Sequence, residues 1–168
     1  MTLCILASIL LAVLPAQAGA LTFTRPAAWT DRAPASSMRV AEFVVPKAAG
    51  DSEDGELIVY YFGGTGGTVE ANLQRWTTQF QSTAAPVRTT ATVNGLQLTN
   101  LDVSGTYVAE VRPGETERHN KSGFRMRATV VETPKGPYYV KMTGPAKTVA
   151  AAEPDFAAFL RSLKPSAP

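Results

Sequence analysis

The segment Leu57-Ile58-Val59-Tyr60-Tyr61-Phe62 constrains this chain more than any other, because six apolar or aromatic residues follow one another without alternation. A strand with one wet face alternates, so an unbroken run of this length reads as a strand buried on both faces, at the centre of a sheet. The flanking segments supply the rest of that sheet. Leu21-Thr22-Phe23-Thr24 is a short opening strand stopped by Pro26 and followed by Trp29, and residues 31–37 form a polar connection. Residues 38–45 alternate, with Met38, Val40 and Val44 on one side and Ala41, Phe43 and Val45 on the other, until Pro46 ends them. Residues 87–93 alternate into Asn94-Gly95, the turn chemistry of a two-residue hairpin, and residues 96–103 return. Leu96 and Leu98 share one parity while Leu101 and Val103 take the other, which predicts a β-bulge near Thr99-Asn100. Residues 107–111 continue this strand. After an aperiodic polar loop over residues 112–123, the set Phe124, Met126, Ala128 and Val130 alternates with Arg125, Arg127, Thr129 and Val131. Pro134-Lys135-Gly136-Pro137 then turns the chain into a strand over residues 138–142.

Helical spacing occurs twice. From Val69, steps of four, three and four reach Leu73, Trp76 and Phe80, all within an arc of about 60° at 100° per residue, so a helix is predicted over residues 69–80. Gly67 is its N-cap and Glu70 lies in the first turn, where a carboxylate favours the helix dipole. Near the end of the chain an Ala-rich helical segment follows Gly144-Pro145. Pro154 opens a last helix carrying Phe156, Phe159, Leu160 and Leu163, which Lys164-Pro165 terminates. Short connections between adjacent strands force antiparallel pairing, so the fold class is α+β, an antiparallel β-sheet flanked by helices. No repeat or linker divides the chain, and residues 21–168 form one domain.

Residues 1–20 read as an export signal. Residues 5–14 are an apolar run too short to span a bilayer, and Ala16-Gln17-Ala18 offers the small residues of a cleavage site, so the mature chain begins near Gly19. Met1-Thr2-Leu3 departs from the pattern by supplying no Lys or Arg. The expected location is secreted or periplasmic, with no transmembrane segment after cleavage. Cys4 is the only cysteine and leaves with the signal, so the mature chain has no disulfide and no thiolate. Sixteen basic against fourteen acidic residues give a net charge of +2, too little for a polyanion partner, and nucleic acid is excluded as a ligand class.

Phe23-Thr24-Arg25-Pro26-Ala27-Ala28-Trp29 and the terminal Phe159-Leu160-Arg161-Ser162-Leu163-Lys164 resemble the opening strand and closing helix of the Mog1/PsbP-like superfamily. Tyr61-Phe62-Gly63, Asn72-Leu73-Gln74-Arg75-Trp76, Gln79-Phe80 and Lys141-Met142-Thr143-Gly144-Pro145 are similar to a group of exported bacterial proteins of unknown function. The resemblance implies a sheet flanked by helices and a binding or accessory role rather than catalysis.

Candidate chemistry is sparse. His119 is the single histidine, and Ser104 and Ser122 lack a nucleophile-elbow setting, so no catalytic residue is assigned. The loop Gly63-Gly64-Thr65-Gly66-Gly67, with Thr68, joins a buried strand to a helix N-terminus and is a candidate small-ligand site, though it lacks the P-loop ending. Arg112, Arg118, His119, Lys121, Arg125 and Arg127 form the densest basic stretch and are candidates for a protein partner. Asp51, Glu53 and Asp54, with Glu56, are candidate calcium ligands without EF-hand spacing. No cofactor is expected. The leading expectation is a non-catalytic exported binding or accessory protein of unidentified protein or small-ligand partner. The alternatives are a hydrolase pairing Asp51 or Asp54 with Asp102, and a structural envelope-associated protein.

Overall fold

Connections of two to five residues cannot carry a chain across a sheet, so strands joined by them pair antiparallel. In the computed structural model, which describes residues 16–82 and 84–166, every strand pairing is antiparallel. The main sheet runs β3 (Thr30–Asp31), β4 (Arg39–Val45), β5 (Gly55–Tyr61), β10 (Tyr138–Pro145), β9 (Lys121–Glu132) and β8 (Leu96–Tyr107). The outer side of β8 carries both β6 (Phe80–Gln81) and β7 (Val87–Val93). A three-stranded ribbon sets β2 (Leu21–Phe23) between β1 (Ala16–Ala18) and β11 (Lys164–Pro165). The helices are α1 (Val69–Thr77), α2 (Ala146–Ala151) and α3 (Glu153–Ser162). The predicted signal lies outside the described residues except for its last five, of which Ala16 to Ala18 form β1.

Leu57, Ile58 and Val59 of β5 are all buried, as an unbroken apolar run requires. Two apolar clusters divide the sheet's faces. On one face Leu57, Val59, Val140 and Met142 meet Phe156 and Phe159 of α3, together with Phe23 of β2 and Trp29. Phe159 is the hub of an aromatic group, with ring centroids 5.2 Å from Phe23, 5.8 Å from Trp29 and 6.3 Å from Phe43. On the other face Leu73 and Trp76 of α1, with Phe80, meet Leu101, Val103, Met126 and Tyr139.

The predicted bulge at Thr99-Asn100 is not there. The β8–β9 register is unbroken from Gln97↔Glu132 to Gly105↔Phe124, and its irregularity falls between Gly105 and Tyr107. The parity change has another cause: Leu96 and Leu98 belong to the α3 cluster, whereas Leu101 and Val103 belong to the α1 cluster. One continuous strand thus passes from one covering layer to the other. Gly105, at φ +150°, lets β6 close in, since a Cβ there would lie 2.3 Å from the Gln81 carbonyl oxygen. The first helix is also shorter than its stripe. It ends at Thr77 with Thr78 as C-cap, and Phe80 reaches the same cluster from β6 instead. Its N-cap is Thr68, whose hydroxyl accepts from the Ala71 amide at 3.2 Å, a bond Gly67 could not supply.

Phe159→Ala should lower unfolding stability by about 3–5 kcal/mol in denaturant melts, through loss of the aromatic hub and the cavity left behind. Val87→Thr, on the exposed strand β7, should shift it by less than about 0.5 kcal/mol in the same assay.

Candidate ligand-binding cleft

A helix of nine residues is about 13 Å long, too short to roof a sheet of this width. The α3 face is completed by α2, α3 and β2, but the α1 face has one helix, and the strands nearer β4 stay uncovered. The result is a cleft of about 730 Å³. Its floor is Glu56, Ile58 and Tyr60 of β5 with Tyr139, Lys141 and Thr143 of β10. One wall is α1 and its C-terminal turn, through Arg75, Trp76 and Gln79. The other walls are the segment around Met38 and Arg39 and the loop between β8 and β9, which returns Arg118 and His119 over the opening.

That loop is not aperiodic coil. Glu110 bridges to Arg118, the Val111 amide donates to the Glu117 carbonyl, and the His119 amide donates to the Ala109 carbonyl, so it folds as a narrow flap. The His119 ring stacks on Tyr107 at 5.2 Å between centroids.

The charges around the cleft do not balance. Glu42 pairs with Arg32 at 2.5 Å and Arg39 at 3.0 Å, Glu56 pairs with Arg32 at 2.6 Å, and Glu110 pairs with Arg118 at 3.5 Å. Burial alone would push the Glu42 carboxyl up, but the bonds from Arg39 and the Ala35 amide, with Arg32 beside it, hold it below the usual carboxylate range. Among the described residues, two cations of the cleft have only amide partners. The Lys141 ammonium donates to the Gln79 side-chain oxygen at 2.9 Å, and Arg75 donates to the Asn72 side-chain oxygen at 2.5 Å. Desolvation on the sheet floor pushes Lys141 down to about 8; Glu56 opposes this, while Arg75 and Arg39 add to it. Burial raises Tyr60 and Tyr139 and brings Tyr107 up to about 12, so these phenols keep their protons and can donate.

The residues singled out in the sequence go to several places. Arg118 and His119 line the cleft. Arg112 lies out on the flap with Glu115 at 3.3 Å, and Lys121 pairs with Glu53 at 2.5 Å. Arg125 and Arg127 turn to the opposite face. There Arg125 grips Asp102 through two bonds of 2.9 and 2.6 Å, Arg127 bonds Glu153 at the start of α3, and the Arg127 guanidinium stacks 5.5 Å over Phe156. The loop from Gly63 to Gly67 lies beyond the cleft and is internally bonded: the Thr65 hydroxyl donates to the Phe62 carbonyl, and the Asn72 amide donates to the carbonyls of Gly66 and Thr68. Gly66 is required by packing, because a Cβ there would sit 2.2 Å from the Tyr139 hydroxyl oxygen.

The acidic turn is drawn apart by structural bonds. Asp51 accepts from the amide and hydroxyl of Thr148, and Asp54 accepts from the Lys47 amide. Among the described residues no group of three or more His, Cys, Asp or Glu side chains could hold a metal ion. Sequence reading passed over Lys141, Arg75 and Arg39 as site residues, and it took Glu56 for a calcium ligand, whereas that side chain lies on the cleft floor beside Arg32. The signal was present in Lys141, the one charge in an otherwise apolar or small strand from Tyr138 to Pro145.

No family model and no curated protein matches the chain. Solved structures do. Protein PA94 of Pseudomonas aeruginosa, a protein of unknown function, aligns with a TM-score of 0.54 at 16% identity, over 89% of this chain and 100% of that one. The solution structure of cyanobacterial PsbP from Synechocystis sp. PCC 6803 aligns with a TM-score of 0.52 at 12% identity, over 88% of this chain and 87% of that one. The fold is PsbP-like. This agrees with the α+β sheet flanked by helices and with the Mog1/PsbP-like resemblance of its two ends. Within the PsbP-like fold of this chain, the cleft belongs to the face that α1 covers incompletely.

The unfolded chain protonates Lys141 near the ordinary lysine value and the folded chain near 8, so stability should rise as pH rises from about 8 to 9.5. Lys141→Met should abolish that rise and stabilise the protein at pH 7 by about 1–2 kcal/mol, a figure reduced for water in the open cleft. Thermal melts of both proteins across this range check it.

Proposed function

We propose that this is an exported, non-catalytic accessory protein that takes its ligand in the cleft between α1 and the sheet. One observation carries the reading: the uncovered sheet face forms a concavity of about 730 Å³, within the range of small-ligand sites, lined by aromatic rings with a few convergent polar groups. The PsbP-like fold is compatible with an accessory role. A binding role is also favoured by the state of the acids that a hydrolase would need. Asp51 is bonded to Thr148, Asp54 to the Lys47 amide and Asp102 to Arg125, so none is free to move a proton.

Export fits the place of β1. It is an edge strand, and cleavage before Gly19 would remove it while leaving β2 paired with β11 and Leu21 and Phe23 in the core. No helix among the described residues is long and apolar enough to cross a membrane.

Native mass spectrometry of the protein recovered from its own host tests both parts. The expected polypeptide begins at Gly19 and retains a small-molecule adduct. Ala35→Trp, which places a large ring at the exposed rim of the cleft, should release that adduct with the melting temperature unchanged. A cytoplasmic protein with an intact N-terminus would overturn export, and an adduct indifferent to Ala35→Trp would move the ligand out of the cleft.

A further inference from the structure

The ligand's chemistry can be read from what the cleft leaves unpaired. Every acid at its margin already has an arginine: Glu42 and Glu56 face Arg32 and Arg39, and Glu110 faces Arg118. Lys141 and Arg75 are left with amide oxygens alone. An amide dipole offsets only part of the desolvation of an ammonium held against a sheet, so the site is short of negative charge. The repulsion is mutual, since Arg75 and Arg39 both act on Lys141 to disfavour its proton. A carboxylate or similar group placed between Lys141 and Arg75 would relieve both, and the protonated phenol of Tyr60 lines the same floor.

The rest of the cleft wants apolar contact. The rings of Tyr60, Phe62 and Tyr107 line it half-buried, and its mouth carries two of the large hydrophobic side chains that the described surface leaves open, Met38 at 50% and Val111 at 38% exposure. A metal cation would meet the wrong charge here. A bare inorganic anion would leave the aromatic walls and the Met38–Val111 rim unused.

We propose that the cleft binds a small organic anion, its acidic group held by Lys141 and Arg75 and its apolar body laid along Tyr60 and Phe62 toward Met38 and Val111. This rests on the reading of the cleft as the ligand site and adds the class of ligand. Lys141 then weakens the free protein and strengthens the complex, which separates a binding residue from a structural one.

The test uses three isosteric probes, phenylbutyrate, phenylbutanol and phenylbutylamine, titrated into the purified protein while the two tryptophan indole N–H signals are followed by NMR. Trp76 lines the cleft and Trp29 lies in the opposite cluster as an internal control. Phenylbutyrate should move Trp76 and leave Trp29 in place, with phenylbutanol at least about ten-fold weaker and phenylbutylamine weaker still. Lys141→Met should reduce phenylbutyrate affinity at least about ten-fold, and Arg75→Gln, a substitution on the exposed side of α1, about three-fold or more. Between about pH 7 and 9.5 phenylbutyrate affinity should fall as Lys141 loses its proton, while phenylbutanol stays level. The charged and titratable groups facing Lys141 are Glu56 on β5, Arg39 on β4, Arg75 on α1, Tyr60, Tyr139 and Tyr107 on the sheet, and Glu110, Arg118 and His119 on the flap. The Lys141→Met variant separates their contribution from that of Lys141.

Equal affinity for phenylbutyrate and phenylbutanol, or an unchanged affinity in Lys141→Met, would overturn the anion and leave the cleft as a ligand site. If no probe moved Trp76 at up to about 10 mM, the small-ligand reading of the cleft would fail along with it.

Discussion

Everything else in this molecule depends on the need to dry both faces of one strand pair. β5 and β10 lie side by side in the middle of the sheet, and the register Val140↔Val59 and Met142↔Leu57 aligns their apolar residues row by row. Each face must be covered, because apolar area removed from water is the main source of stability in a chain whose predicted mature form has no disulfide. The two faces are not covered equally. One receives two helices and a strand ribbon, and the other a single nine-residue helix. The cleft is the part of the second face that α1 fails to reach, so it is a product of helix length rather than of any special motif.

That origin explains which parts of the molecule were legible in the sequence. The central strand, both hairpins, the α1 and α3 stripes and the α+β class follow from periodicities of 2 and 3.6, which depend only on local geometry. The parity change at Leu98 and Leu101 could be seen but not interpreted from sequence. A bulge and a change of covering layer produce the same pattern, and the choice between them depends on where α1 and α3 pack, which is tertiary information. The cleft was illegible for a related reason. Its residues come from β4, β5, α1, the flap and β10, and no window along the chain holds more than a fragment. Lys141 alone left a local trace, as a charge where a central strand should have none.

The basic stretch illustrates how parity can mislead about partners. Arg125 and Arg127 alternate with buried residues and so look like a wet face. They lie instead where β9 runs past the apolar part of the α3 layer, and Asp102 and Glu153 close over them. The half-buried charges are gathered into one bonded group, which adds ion pairs to the apolar contact of Phe156 in fixing the start of α3 against the sheet. The acidic residues before β5 behave in the same way. Asp51 bonds Thr148 on α2, and Glu53 reaches Lys121 at the start of β9, so residues far apart in sequence are tied to a loop that reads as solvated.

The ribbon of β1, β2 and β11 has a consequence for the order of folding. Thr22 is paired with Lys164, the Ser166 amide donates to the Ala20 carbonyl, and Phe23 packs on Phe159, so the first strand of the domain meets its partners in the final stretch of chain. Contacts spanning about 140 residues cannot form while that stretch is still being synthesised. The larger apolar cluster therefore stays open until residues 156–166 have left the ribosome. The pairing of β2 with β11 builds that delay into the topology.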